Sequence, residues 1–449
     1  MTTVPEIPHR TVIEYMAGPG ASALVHAACH TSAPAPLLSR QGYQYRLADL
    51  AVASWTVGAT HARPGAGVSV TYRVRLMRGH DTVSVQAVAS TERLPRGAAT
   101  ALRLDPGTID NRFQGLPPIP VYVWVFPADP LLPQLSWAYS TETISNYFGI
   151  ASPTLTPVVY RPTRRAMIRV KEGSTIYAWI KVLPADKAAE LQRILATLEG
   201  SNFPIAPPVP VVLPGLVIQR HGKGRPLSNV ISKEPHHAAR MFGQISQILD
   251  ALPDSVLALP RQRSWTDRRV HYAESIASTL PDLQPATIRL LRIIDTYLDE
   301  SLPLVPTHGD LFEANLLTDA RNITTVLDLD SIGPGRRADD YACLLAHISV
   351  LPFLAPRRWI TAEPTEPWRH RLNQFLAGKR CPSYPESETV LEAWRIQAER
   401  EVNPADLYAR TAAVTLSLAA SASLMWGESE MRARFARAMW WADLADEIG

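Results

Sequence analysis

THGDLFEANLLTDARNITTVLDLDSIGPGRRADDYACLLAHI, residues 307–348, carries most of the readable chemistry of the chain. Two short apolar runs, NLLTD and TTVLDLD, flank an Arg321-Asn322 turn, a pattern that predicts a β-hairpin. Asp310 precedes the hairpin, Asn315 follows it by five residues, and Asp328 closes the second strand thirteen residues later. Asp and Asn also simply turn and cap chains. An acid, an amide and a second acid so spaced, however, meet the needs of metal-assisted phosphoryl transfer. The first carboxylate takes or orients a hydroxyl proton, while the amide oxygen and the second carboxylate suit a hard cation such as Mg²⁺. Asp330, two residues after Asp328, adds either a capping carboxylate or a further metal contact.

Working outward, the chain has only six lysines, none of them before residue 171. Lys181 is the informative one, because it lies in the apolar run YAWIKVL, where an ammonium is costly to bury unless an anion meets it.

The segments HGDLFEANLL and VLDLDSIGPGRRADDYA together resemble the aminoglycoside phosphotransferase and choline kinase superfamily, which has a protein-kinase-like fold. The resemblance covers roughly residues 155–449 and leaves the N-terminal third outside. It implies that Asp310 is the catalytic Asp, acting as base, that Asn315 and Asp328 hold Mg²⁺, that Asp340 is the buried acid bracing the catalytic loop, and that His308 positions that loop. It also implies ATP as co-substrate, with Lys181 on its phosphates and a Glu of the next helix paired to that Lys. Glu190 is the first candidate for that pairing and Glu199 the second. Val217 to Arg220 is then the hinge, where Val217 and Gln219 offer backbone groups to adenine, and HGKGRPL resembles the family's entry into the helical lobe. One departure is Phe312, which stands where the family often has a second His.

Composition removes other classes. Of the 449 residues, 46% are apolar and 19% charged, which excludes a wholly disordered chain. The 45 basic residues nearly balance the 42 acidic ones, so no nucleic-acid footprint is present. Cys29, Cys343 and Cys381 are odd in number and far apart, with no zinc or disulfide spacing, which fits a reducing cytoplasm. No leader pattern opens the chain, and the apolar stretch Ala412–Trp426 is interrupted and short, so neither secretion nor membrane insertion is expected. GxxxxGK[ST], HExxH and GxSxG are all missing.

Residues 1–150 read as an antiparallel β-rich, cap-like region with its connector. Val68, Val70, Tyr72, Val74 and Leu76 alternate with polar residues and return through a Gly79 turn, a helix is expected near Ala21–His30, a further strand lies within Leu47–Val57, and VYVWVF begins the join. Residues 151–220 read as three strands, a helix opened by Pro184 and closed by Gly200, and two more strands. Residues 221–449 read as helical apart from the hairpin, with helices at His236–Ala251, Trp265–Thr279, Ala286–Ser301, Asp339–Leu351, Pro367–Leu376, Ser387–Glu401, Ala405–Met425 and Glu428–Asp446.

The expectation is therefore an α+β, bilobal kinase-like enzyme with an added N-terminal domain. It would move the γ-phosphoryl group of ATP to a hydroxyl of a small molecule, with nucleic acid and membrane not among its partners. The N-terminal extension resembles the arrangement in maltose and glucosamine kinases of actinobacteria, which favours a sugar or amino sugar over an aminoglycoside as acceptor. The alternative is an inactive, pseudokinase-like module that binds a nucleotide or a protein.

Overall fold

The structure, a computed structural model, describes residues 9–30, 37–38, 44–45, 47–62, 67–95, 100–105, 119–211, 213–319, 321–359, 385–425 and 427–449. The helix expected at Pro367–Leu376, together with Cys381 and Trp426, lies outside the described residues. The fold is mixed α+β, and the chain divides into two compact units: 1–192 with 208–221, and 193–207 with 222–449.

The first unit holds two five-stranded antiparallel sheets. In the N-terminal one, Ser69–Arg78 pairs with Asp81–Ser90 through the turn at Gly79, whose φ of 60° suits a residue without a Cβ. Val70, Tyr72, Val74 and Leu76 are buried while Arg73 and Arg75 are exposed, as period-two alternation requires. The polar residues of the alternation are exposed only in part, since Ser69 and Thr71 are buried too. Thr71 Oγ1 accepts from Ala59 N at 2.8 Å and donates to Ala59 O, filling an irregularity in the neighbouring strand Ala51–His61. The helix Ala21–Cys29 packs on this sheet, as does a helix unforeseen in the sequence, His9–Ala17, where Tyr72 OH donates to Met16 O at 2.6 Å.

The VYVWV run proves to be more than a join. Val121–Val125 is an inner strand of the N-terminal sheet, between Asp81–Ser90 and Leu102–Leu104. Trp124 Nε1 then donates to Tyr160 OH at 3.0 Å, and that hydroxyl donates to Asp129 at 2.8 Å, so the strand is tied into the second sheet. Burial pushes the Asp129 carboxyl up, against hydrogen bonds that hold it down from the Thr163 and Leu131 backbone amides and the Tyr160 hydroxyl.

The second sheet runs Pro208–Val209, Leu216–Arg220, Thr175–Val182, Arg165–Glu172, Pro153–Arg161. One of its faces, with Ala178, Ile180, Val182, Ile168, Val170 and Ile218, closes a core over Leu132, Leu135 and Ile144. Lys181 therefore points to the opposite face, together with Trp179 on its own strand. The helix Ala185–Leu198 follows, and Gly200, at φ 78°, provides the left-handed residue that ends it.

In the second unit, the helices Arg337–Trp359, Pro404–Met425 and Glu428–Ile448 form the apolar body, with Tyr341, Leu344, Leu345, Leu416 and Trp441 almost wholly buried. The helix expected over His236–Ala251 is broken into Pro235–Ala239 and Phe242–Asp250, and a further helix, Leu227–Lys233, precedes them. Among the described residues no helix is long and apolar enough to cross a membrane.

Candidate active site

The expected hairpin forms, with Leu316–Thr318 pairing antiparallel to Ile323–Val326, and Arg225–Pro226 of the GRPL segment adding a third strand. Asp319 Oδ1 accepts from Arg321 N and Asn322 N, both at 2.8 Å, and so closes the turn. The hairpin brings the chain from Asn315 to Asp328, and the short strand Gly333–Gly335 then pairs with Val305–Thr307, leading into the corner at His308–Asp310.

At that corner the backbone is held by one carboxylate. His308 N donates to Asp340 Oδ2 at 2.9 Å and Gly309 N to Oδ1 at 2.8 Å. Asp340 is fully buried in the first turn of the helix Arg337–Trp359, and burial pushes its carboxyl up to about 7 against the pull of those two N–H groups. Gly309 has φ 77°, and a Cβ there would lie 2.5 Å from Ser331 O, so the HGD sequence needs its glycine. His308, also fully buried, lies with Nε2 3.0 Å from Leu327 O and accepts from Asp310 N through Nδ1 at 3.3 Å. Burial holds its imidazole below the ordinary value, which is the neutral tautomer that this pair of contacts requires.

Asp310 itself is oriented by two groups that no motif announces. Trp265 Nε1 donates to its Oδ1 at 3.1 Å, and the buried Cys343 thiol lies 3.9 Å from the same oxygen. Burial, reinforced by the charge of Asp310, raises the Cys343 pKa well above the usual thiol range, so the sulfur keeps its proton and faces the carboxylate as a donor. Asn315 is buried, and its Nδ2 donates to Asp310 O at 3.0 Å. That bond assigns the amide nitrogen to the loop and leaves Asn315 Oδ1 as the side chain's acceptor oxygen. Asp328 sits in the left-handed region at φ 54°, a conformation that costs a non-glycine residue about 1 kcal/mol and concentrates at functional positions. Asp330 lies in the tight turn Leu329–Ser331 that follows.

An amide oxygen and carboxylates from a loop and a strand end form an all-oxygen donor set, which fits Mg²⁺. Among the described residues no three His, Cys, Asp or Glu side chains gather as a metal site.

Lys181, Val217 and Gln219 belong to the other compact unit. Lys181 is 8% exposed and stands opposite Val217 in the ladder. Gln219 lies between Trp179 and Pro208, inside the sheet, so its main chain serves the ladder rather than presenting an edge. The expected Glu190 to Lys181 pair does not form. Glu190 is bound by Lys187 at 2.8 Å on the open face of the helix, because three residues earlier on the same face is one turn away, and Glu199 is exposed at the helix end.

Residues 181–401 match the phosphotransferase enzyme family. The match places this segment in the superfamily that the HGD motif resembles, and it takes in Lys181, the whole corner from His308 to Asp340, and Trp265. No curated protein sequence matches. Among solved structures, a thermostable mutant of aminoglycoside phosphotransferase APH(4)-Ia aligns at 16% identity and TM-score 0.45, covering 69% of this chain and 98% of that one. Macrolide 2'-phosphotransferase MphH from Brachybacterium faecium aligns at 17% identity and TM-score 0.38, covering 66% and 96%. A choline/ethanolamine kinase family protein from Mesorhizobium loti aligns at 15% identity and TM-score 0.41, covering 64% and 87%.

In this phosphotransferase segment the departure at Phe312 has a structural partner, as its ring stacks on His347 with centroids 4.2 Å apart and planes 21° from parallel. Burial, helped by the Arg434 charge, pushes His347 down to about 3, so the folded protein keeps it neutral. Between its ordinary 6.5 and about 3, the unfolded chain binds a proton that the native state refuses, and stability falls as pH falls. One such group sets a slope of at most about 1.4 kcal/mol per pH unit. Thermal unfolding of His347→Gln from pH 7 to 4 is expected to show a flatter decline than the native protein; equal slopes would refute this role.

Proposed function

We propose that the protein transfers the γ-phosphoryl group of ATP to a hydroxyl of a small molecule, a sugar or amino sugar ahead of an aminoglycoside. The observation that carries this reading is the corner at His308–Asp310, with its backbone pinned by Asp340, its carboxylate oriented by Trp265, and the Asn315 amide turned so that nitrogen faces the loop. The family match over residues 181–401 supports it. In this reading Asp310 accepts or orients the acceptor's proton and Lys181 engages phosphate oxygens of the nucleotide. Asn315 Oδ1 and Asp328, with Asp330 beside them, are the residues that would hold Mg²⁺, which when bound neutralises phosphate charge. His308 and Asp340 keep the loop in shape. Positioning and electrostatics, rather than covalent chemistry, are what such a site contributes.

The test is calorimetric titration of ATP into the full chain with and without Mg²⁺, for the native protein and for Asp328→Ala. Binding is expected to require the metal and to weaken by about tenfold or more in the variant. Binding indifferent to both would remove the metal site and with it the transferase reading.

A further inference from the structure

Arg410, on the helix Pro404–Met425, is 1% exposed, and its guanidinium binds three separate stretches of chain. Nε donates to Asp406 Oδ2 at 2.8 Å, one turn back on the same helix. Nη1 donates to Asp339 Oδ1 at 3.0 Å and Nη2 to Asp299 O at 3.1 Å. Asp406 Oδ1 in turn accepts from Asp299 N at 2.8 Å, so the chain that runs on to the strand Val305–Thr307 and His308 is tied at both its N–H and its carbonyl. A planar fork of donors can hold three directions at once, which the point charge of a Lys cannot. Buried ion pairs add little net stability once desolvation is counted, and the consequence of this one is positional.

Asp339 Oδ1 takes a second donor, the hydroxyl of Thr266, at 3.0 Å. Thr266 is fully buried, its carbonyl accepts from Arg269 Nη1 at 3.2 Å, and it is the chain neighbour of Trp265. The Trp265 ring is flanked by the Arg268 guanidinium, 5.6 Å from its centroid, and by the Tyr272 ring at 6.2 Å, while its Nε1 reaches Asp310 Oδ1. A continuous path therefore runs from Arg410 through Asp339, Thr266 and Trp265 to Asp310. Two consecutive acids of one helix turn divide the corner between them: Asp340 holds the main chain of His308 and Gly309, and Asp339 holds the turn that carries the indole.

Resting on the phosphotransferase reading, we infer that Arg410, Asp339 and Thr266 are positioning residues that set the Asp310 carboxylate through Trp265. Pinning the main chain alone does not fix a carboxylate, because the terminal torsion of an Asp side chain is broad and nearly two-fold. The indole N–H selects one orientation, and it can do so only where Thr266, bound to Asp339, places the Trp265 backbone.

The experiment uses the full chain labelled with ¹⁵N in its tryptophan indoles. The Trp265 N–H is the resonance missing from Trp265→Phe, and it should move in Asp310→Asn. In Thr266→Val its exchange with solvent should quicken by about tenfold or more, the loss of a hydrogen bond to a charged group, and Thr266→Ser, which keeps the hydroxyl, should restore it. In ADP release from ATP and Mg²⁺ with glucose or glucosamine as acceptor, Trp265→Phe and Thr266→Val should each lower kcat by about tenfold or more while ATP binding stays close to native. Because Thr266 acts through Trp265, adding Thr266→Val to Trp265→Phe should cost nothing further. An indole unchanged by Thr266→Val, native kcat in Trp265→Phe, or losses that multiply in the double variant would each overturn the inference. So would a lower Tm in Thr266→Val with indole and kcat both native, which would leave the Asp339 bond as packing alone. An indole that follows Thr266 in a protein without metal-dependent ATP binding would keep the path and remove the transferase reading. Metal-dependent ATP binding lost in Asp328→Ala, with the indole indifferent to Thr266→Val, would do the reverse.

Discussion

Asp310→Asn is expected to lower turnover by about a thousandfold, the range in which a positioned general base contributes, while Mg²⁺-dependent ATP binding stays close to native. The substitution keeps the volume of the side chain and keeps one oxygen. That oxygen can still accept the Trp265 Nε1 hydrogen bond, now 3.1 Å from Asp310 Oδ1, so the loop need not move. What is lost is the second acceptor and the charge. The amide presents N–H where a hydroxyl proton has to go, and the Cys343 thiol faces a neutral group instead of a carboxylate. Steady-state kinetics and ATP titration on the same preparation separate the two effects. Turnover within tenfold of native would show that another group accepts the proton, and loss of ATP binding would show that Asp310 serves the nucleotide.

The residues proposed for the site were legible because they are close together in the chain. Asp310, Asn315, Asp328 and Asp340 fall within one loop, one hairpin and one helix start, so residue type and spacing carried their arrangement. Lys181 was legible for a different reason, as a charge within an apolar strand of a chain poor in lysine. Trp265 was not legible. It lies 45 residues before Asp310, in no motif, and only the fold brings its N–H to that carboxylate. Helical periodicity placed Glu190 on a helix without saying which neighbour would take it, and Lys187, one turn away, takes it. The VYVWV run was placed in a connector because its partner strand is distant in sequence: Val125 pairs with Ala87, and apolar alternation does not specify a partner across such a gap.

Asp340→Asn should remove activity by a route that does not touch substrate. His308 N and Gly309 N both donate to this one carboxylate. An amide offers them one oxygen and one N–H group, so one buried donor loses its acceptor and faces another donor, at a cost of about 1–3 kcal/mol. The strain falls on Gly309, already at φ 77° against Ser331, and so displaces Asp310. We expect kcat to fall by about a hundredfold or more, since misplacing a reacting group by an ångström costs that much, with a modest fall in Tm. Protonation should do to the native protein what the substitution does permanently. Burial raises the Asp340 carboxyl to about 7, so kcat should decline as pH falls below that value and the corner loses one of its two acceptors. The sign for stability is opposite. Because the folded pKa is raised above the ordinary 3.8, the native state binds this proton more tightly than the unfolded chain, and this group adds stability as pH falls through 7 toward 3.8. Between pH 7 and 6.5, above the window in which His347 destabilises the fold, activity should therefore fall without a matching loss of Tm. In Asp340→Asn the acid decline in kcat should be missing; its persistence at the same pH would assign the titration to another group.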